Sequence, residues 1–147
     1  MAKIFNTIVS AFCFCLFLFL PSSSRADTII SSDVTANTTW TLAGSPYIIT
    51  RTTAISNNAK LIIQPGVVVK FNNSFSLNVG GASVGYLDAR GTAAQPIRFT
   101  SSAASPAPGA WGSINFQSQA DTSQSFLDNV IVEYAGSGTN NPIVLNG

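Results

Sequence analysis

From Leu61 onward, apolar side chains recur at every second position in short runs separated by Gly, Pro, Asn and Ser. Leu61 and Ile63 fall on one face. Beyond the turn at Pro65-Gly66, Val67, Val69 and Phe71 share a face while Val68 and Lys70 point the other way. The alternation returns in Phe75, Leu77 and Val79, in Leu87 and Ala89, in Ile97 and Phe99, and in Ile114 and Phe116 around an outward Asn115. A period of two over three to five residues is the mark of a β-strand with one buried face, and no segment after residue 26 carries a helical period. At Leu127 the phase shifts, so that Val130, Val132 and Tyr134 are expected inward, with Asp128-Asn129 as the place where the backbone bends.

The turns between these runs lack the Asn-Gly and Asp-Gly pairs that two-residue hairpins favour, and Gly80-Gly81 opens a longer loop, Gly80 to Tyr86. Frequent bends without hairpin turns predict a coil whose rungs, roughly 20 to 26 residues each, stack their strands in parallel and bury a core only against one another. An antiparallel β-sandwich is the structural alternative.

The first 26 residues have a different character. A positive start at Met1 and Lys3 precedes an apolar core, Ile8 to Leu20, broken only by Ser10. That core is shorter than the ~20 apolar residues a bilayer span needs. Pro21 and Ser22 to Ser24 lead into Ser24-Arg25-Ala26, with small side chains at both positions that a signal peptidase accepts. This predicts a signal peptide over 1–26, cleaved between Ala26 and Asp27, and a secreted or extracytoplasmic product at the cell surface or in the periplasm. Both cysteines, Cys13 and Cys15, lie in the leader and the chain has no histidine, so the product lacks the usual thiolate and imidazole metal ligands. No cofactor is expected.

Trp40, Pro46 to Ile49 and Leu61-Ile62-Ile63-Gln64-Pro65-Gly66-Val67-Val68-Val69-Lys70-Phe71 open a pattern that continues through Leu87 to Thr92, Gln95 to Ser101 and Pro108 to Phe116. It closes with Ser125 to Leu127 and Val130 to Gly136. This pattern resembles the N-terminal segment of secreted bacterial proteins with right-handed parallel β-helix repeats. The resemblance implies an all-β, right-handed parallel β-helix, or solenoid, with residues 27–45 as a lead-in strand or cap and 46–147 as rungs. Within it Pro65-Gly66 joins one strand to the next, Trp111 packs over a rung edge, and Gly112 lets backbone pass close by. The loop Gly80 to Tyr86 departs from the pattern as an excursion. Asn141 to Gly147 reads as the start of a further strand, so the chain is expected to be truncated or the first part of something longer, and its open rung is expected to favour self-association.

Charge narrows the partners. The product carries five basic and six acidic side chains, a formal net charge of −1, which argues against nucleic acid or an anionic membrane surface. Charged residues make up 9% of the chain, so solubility rests on Ser, Thr, Asn and Gln, a surface compatible with extracellular polysaccharide or a surface protein.

Asp88, Arg90 and Arg98 form the best ionisable cluster: with Leu87, Ala89, Ile97 and Phe99 inward, all three project outward. Polysaccharide lyases and hydrolases of β-helix fold use acids and an arginine on an outer face, so the resemblance gives these residues an enzymatic alternative. A surface ion pair is the plainer reading. A hydrolase wants two carboxylates at a set separation, and only Asp128 and Glu133 are close in sequence. Tyr47, Tyr86, Trp111 and Tyr134 are candidate sugar-stacking platforms, with packing as the plainer role. Thr50 to Thr53 occurs once and does not make a threonine array. Asn37-Thr38-Thr39 and Asn72-Asn73-Ser74 fit the glycosylation acceptor pattern and equally suit turns.

These observations predict a secreted or cell-surface scaffold that presents a surface for glycan or protein binding, with no catalytic residues assigned. The alternative is a polysaccharide lyase or glycoside hydrolase whose catalytic rungs lie beyond residue 147. N-terminal sequencing of the exported protein is expected to read Asp27-Thr28-Ile29; a start at Met1 would mean the leader is retained.

Overall fold

The computed structural model describes residues 25–138 and 141–146. All but two residues of the expected leader, 1–26, therefore lie outside the described residues, including both cysteines; Arg25, Ala26 and Asp27 are exposed.

Each turn of the chain contributes one strand to each of three sheets. The first sheet takes β1 (Thr28–Ile30), β3 (Tyr47–Ile49), β6 (Val68–Phe71), β9 (Ile97–Ser101) and β12 (Val130–Val132), in that spatial order. The second takes β4 (Thr53–Ile55), β7 (Leu77–Val79), β10 (Ile114–Phe116) and β13 (Ile143–Leu145). The third takes β2 (Thr38–Trp40), β5 (Ala59–Ile63), β8 (Gly85–Arg90) and β11 (Phe126–Asp128). Every strand pairing is parallel and joins equivalent strands of successive turns. The chain is a right-handed parallel β-helix, and the antiparallel sandwich is ruled out. Such strands need crossovers, and the coil supplies them as its other two sides.

The stretch expected as a lead-in forms a turn of the coil: β1 and β2 pair with β3 and β5, and Val34 bridges to Ile55. Rung length also departs from expectation. In the first sheet Tyr47, Val69, Phe99 and Val132 are register partners at spacings of 22, 30 and 33 residues. The step to 30 is shared by all three connections between β6 and β9; the step to 33 comes from still longer connections between β9 and β10 and between β10 and β11, largely offset by the short bend at Asn129. The loop expected over Gly80 to Tyr86 is shorter, because β8 already begins at Gly85.

Alternation supplies the core. Leu61, Ile63, Val67, Val69, Phe71, Leu77, Val79, Leu87, Ala89, Ile97, Phe99 and Ile114 are buried inside the coil. Parallel register makes each inward residue sit on its equivalent in the next rung, as in the column Val34, Ile55, Val79, Phe116 and Leu145. Corners are turned by left-handed residues, among them Gly66 at φ 78° and Asn129 at φ 47°, the latter where the inward phase shifts from Leu127 to Val130. Tyr134 breaks that expectation. Its φ of 61° ends the alternation, and the ring is exposed instead of buried.

Trp111 is fully buried, which corrects its expected place at a rung edge. Ser101 follows Phe71 in the ladder and is too small to cover its ring. The indole takes that place, stacked on Phe71 at 4.0 Å between centroids and 5° between planes, and Nε1 donates to the Glu133 carbonyl at 2.8 Å. Gly112 must follow, because a Cβ there would collide with Ser76 Oγ. Tyr47 likewise is core: it stacks on Trp40 at 4.8 Å, and its hydroxyl accepts from the Thr41 amide at 2.8 Å.

Trp111→Ala empties the space above Phe71 and orphans the Glu133 carbonyl, and is expected to cost about 3 to 5 kcal/mol in denaturant unfolding. A loss under about 1 kcal/mol would mean that the stack is not closing the core.

Candidate functional site

The three outer faces carry different chemistry. On the first sheet, Arg98 Nη1 reaches Glu133 Oε2 at 2.8 Å, flanked in register by Val68 and Ile131. On the second, Asn115 Nδ2 donates to Asn78 Oδ1 at 2.9 Å, and Ser113 Oγ donates to Asn115 Oδ1 at 2.8 Å, a short amide ladder. The third face combines charge with aromatic rings.

Its central outward column is Thr39, Ile62, Asp88 and Phe126. Lys60 and Tyr86 pair on one side of that column, Arg90 and Asp128 on the other. Arg90 binds Asp88 through two parallel bonds, Nε to Oδ1 and Nη2 to Oδ2, each 2.7 Å. The same guanidinium lies over the Phe126 ring, 4.1 Å from its centroid. Asp88, held by two bonds and with Asp128 adjacent, raises the Arg90 pKa further above its ordinary range, partly opposed by desolvation. Lys60 Nζ sits 5.6 Å from the Tyr86 ring centroid. Ile62 and Phe126 are 41% and 40% exposed, so the face is open to a ligand.

Four strands at a spacing of about 4.8 Å make this strip roughly 14 Å long along the coil. Tyr86 and Phe126 stand on successive rungs and two positions apart, about 8 Å between backbones, with Asp88 between them. One or two exposed rings beside a bidentate donor and acceptor pair form a surface that can stack on one side of a sugar and hydrogen-bond its hydroxyls.

The expected cluster of Asp88, Arg90 and Arg98 is not one cluster. Asp88 and Arg90 lie on the third sheet, whereas Arg98 is on the first, paired with Glu133. The reason is the corner at Gly91 to Gln95, where Thr92 and Gln95 close a turn and send the chain onto another face. Asp128 and Glu133 are separated in the same way, by the bend at Asn129. Of the four aromatic candidates only Tyr86 joins the strip; Tyr47 and Trp111 are core, and Tyr134 stands apart. Phe126 escaped the sequence reading, since its register partner Asp88 lies across the longest connection of the third sheet.

The remaining candidates serve the corners. Thr50 Oγ1 donates to the Ile30 carbonyl and Thr52 Oγ1 accepts from the Ser76 amide. Asn37 Oδ1 accepts from the Lys60 amide, and Asn73 is left-handed at φ 47°. Asp121 closes the corner before β11 by accepting from the Ser123 hydroxyl, the Ser123 amide and Gln124 Nε2, bonds that hold its carboxyl below the usual aspartate range against a smaller desolvation effect. Among the described residues no group of three or more His, Cys, Asp or Glu could hold a metal ion, and no helix is long and apolar enough to cross a membrane.

A family model described as a pectate-lyase-like beta helix domain matches residues 32–145. No curated protein and no solved structure matches the chain.

A double-mutant cycle checks the division of the charges. Arg98→Ala with Glu133→Ala is expected to show a coupling of about 0.2 to 1 kcal/mol, whereas Asp88→Ala with Arg98→Ala is additive within about 0.5 kcal/mol. Coupling in the second pair would return Arg98 to the strip.

Proposed function

The chain belongs to the pectate-lyase-like β-helix family, and on that premise we propose that it is an exported scaffold whose third sheet binds extracellular polysaccharide on its outer face. The observation that carries this reading is the strip itself: Tyr86 and Phe126 flank the Asp88–Arg90 pair on a surface held flat by stacked strands. Aromatic rings bury the apolar faces of sugars, and a bidentate ion pair offers both acceptors and donors to hydroxyls. Arg90 over one face of Phe126 and Lys60 near Tyr86 restrict how the rings move, which reduces the ordering cost of binding. Export through residues 1–26 places this surface where polysaccharide is found.

The role is binding. Of the strip's two carboxylates, Asp88 is committed to Arg90 through both oxygens, which leaves Asp128 without a second free carboxylate to divide acid and base work with, and Glu133 lies on another face, paired with Arg98.

Affinity electrophoresis of residues 27–147 through gels containing soluble plant and microbial polysaccharides tests the proposal. Retardation is expected in at least one gel. Tyr86→Ala and Phe126→Ala are expected to weaken it about two- to tenfold each, the range of a lost aromatic contact. Ile29→Ala, on the first sheet, is expected to leave it unchanged. Retardation insensitive to both aromatic substitutions would place any binding elsewhere on the coil.

A further inference from the structure

We infer that the strip on the third sheet selects a neutral polysaccharide, lying along the coil axis, and rejects polyuronates. This rests on the glycan-binding reading above and adds the substrate class.

The charges decide it. A polyanionic chain is held by cations free to meet its carboxylates, and the strip has two cations, Lys60 and Arg90, against two carboxylates, Asp88 and Asp128. Arg90 directs Nε and Nη2 into Asp88 at 2.7 Å each and has Asp128 as its register partner on the next rung. A carboxylated sugar approaching that guanidinium would have to displace Asp88 and face Asp128, two like charges at contact range. Lys60 alone is without a carboxylate partner on this face, and its ammonium lies near the Tyr86 ring. Off the strip, Arg51 and Arg98 are paired with Asp33 and Glu133, and Lys70 stands on the first sheet, away from this face. With a net charge of −1 after cleavage, the product has no long-range attraction for a polyanion.

What the strip does offer suits hydroxyl-rich, uncharged chains. Thr39, Ile62, Asp88 and Phe126 form one straight column across four rungs, and Tyr86 stands diagonally beside it. Apolar, aromatic and hydrogen-bonding positions therefore follow one another along the coil, so a ligand that uses them together must run along that axis and not along the strands.

The test compares retardation by a neutral glucan or xylan with retardation by polygalacturonate, at low and at high salt. The neutral chain is expected to retard the protein equally at both salt levels, and Phe126→Ala to reduce that effect. Polygalacturonate is expected to give none. Asp88→Asn combined with Asp128→Asn releases Arg90 and is expected to create salt-sensitive retardation by polygalacturonate. If the unaltered protein binds polygalacturonate, with release by salt and loss in Lys60→Ala, the neutral assignment is overturned while glycan binding stands. If the double variant folds, as judged by its unfolding transition, and gains nothing from polygalacturonate, the carboxylates are not the excluding element and the assignment again fails. Retardation by neither polymer type would overturn the glycan-binding reading itself.

Discussion

Parallel hydrogen bonding between successive turns is the constraint on which everything else in this molecule depends. A single turn of about twenty residues cannot bury its own apolar side chains, and its strands have no partners within the turn. Stacking satisfies both needs at once. Each strand bonds to its equivalent one turn away, and each inward residue covers the one before it. The corners then have to absorb any difference in length between turns, because a strand that slipped by one residue would turn its whole inward set outward. This is why the insertions collect in the connections from β6 onward, the longest of them between β9 and β10, while the strands themselves keep their register.

The same constraint shapes the interior. Columns of like residues pack well only while successive side chains match in size, and the place where they do not is informative. Ser101 above Phe71 would leave a void, and the long corner after β9 returns Trp111 to fill it. An excursion that looks like surface decoration is thus part of the core, and its indole nitrogen finds the Glu133 carbonyl one rung on. A buried ring with a satisfied polar atom offsets the entropy of ordering the corner that carries it.

Outside, stacking converts sequence distance into a flat array. Residues such as Ile62, Asp88 and Phe126 become neighbours about 4.8 Å apart although long connections separate them. The three faces diverge in chemistry because their outward positions are free of packing demands. One carries an ion pair among aliphatic side chains, one an amide ladder, and one the aromatic and charged strip. On the proposed reading, a rigid face of this kind would hold its ligand by position, with little rearrangement of its own.

Much of the fold was legible from residue order alone, because period-two alternation and left-handed corner residues are local signals. Leu61, Ile63, Val69, Phe71, Leu77, Val79, Ile97 and Phe99 are inward as their spacing requires, and the phase shift at Asp128-Asn129 marks a real bend. Bends without hairpin turns pointed to a stacked coil, and the resemblance added its hand. Of the candidate site, Asp88 and Arg90 were visible as outward residues on one strand, while Tyr86, expected at the end of a loop, was visible only as an aromatic candidate. Their true neighbours were not. Which side chains meet across rungs depends on how many residues each corner consumes, and that is settled by packing: by the room above Phe71, by the backbone contact that makes Gly85 obligatory beside Ile55, and by the turn that carries Arg98 to another sheet. Within the strands the sequence by itself determined which residues face in and which face out; only the tertiary structure decided where corner residues such as Trp111 and Tyr134 lie and which outward residues share a face, because register across a stack is a long-range property of the packed coil.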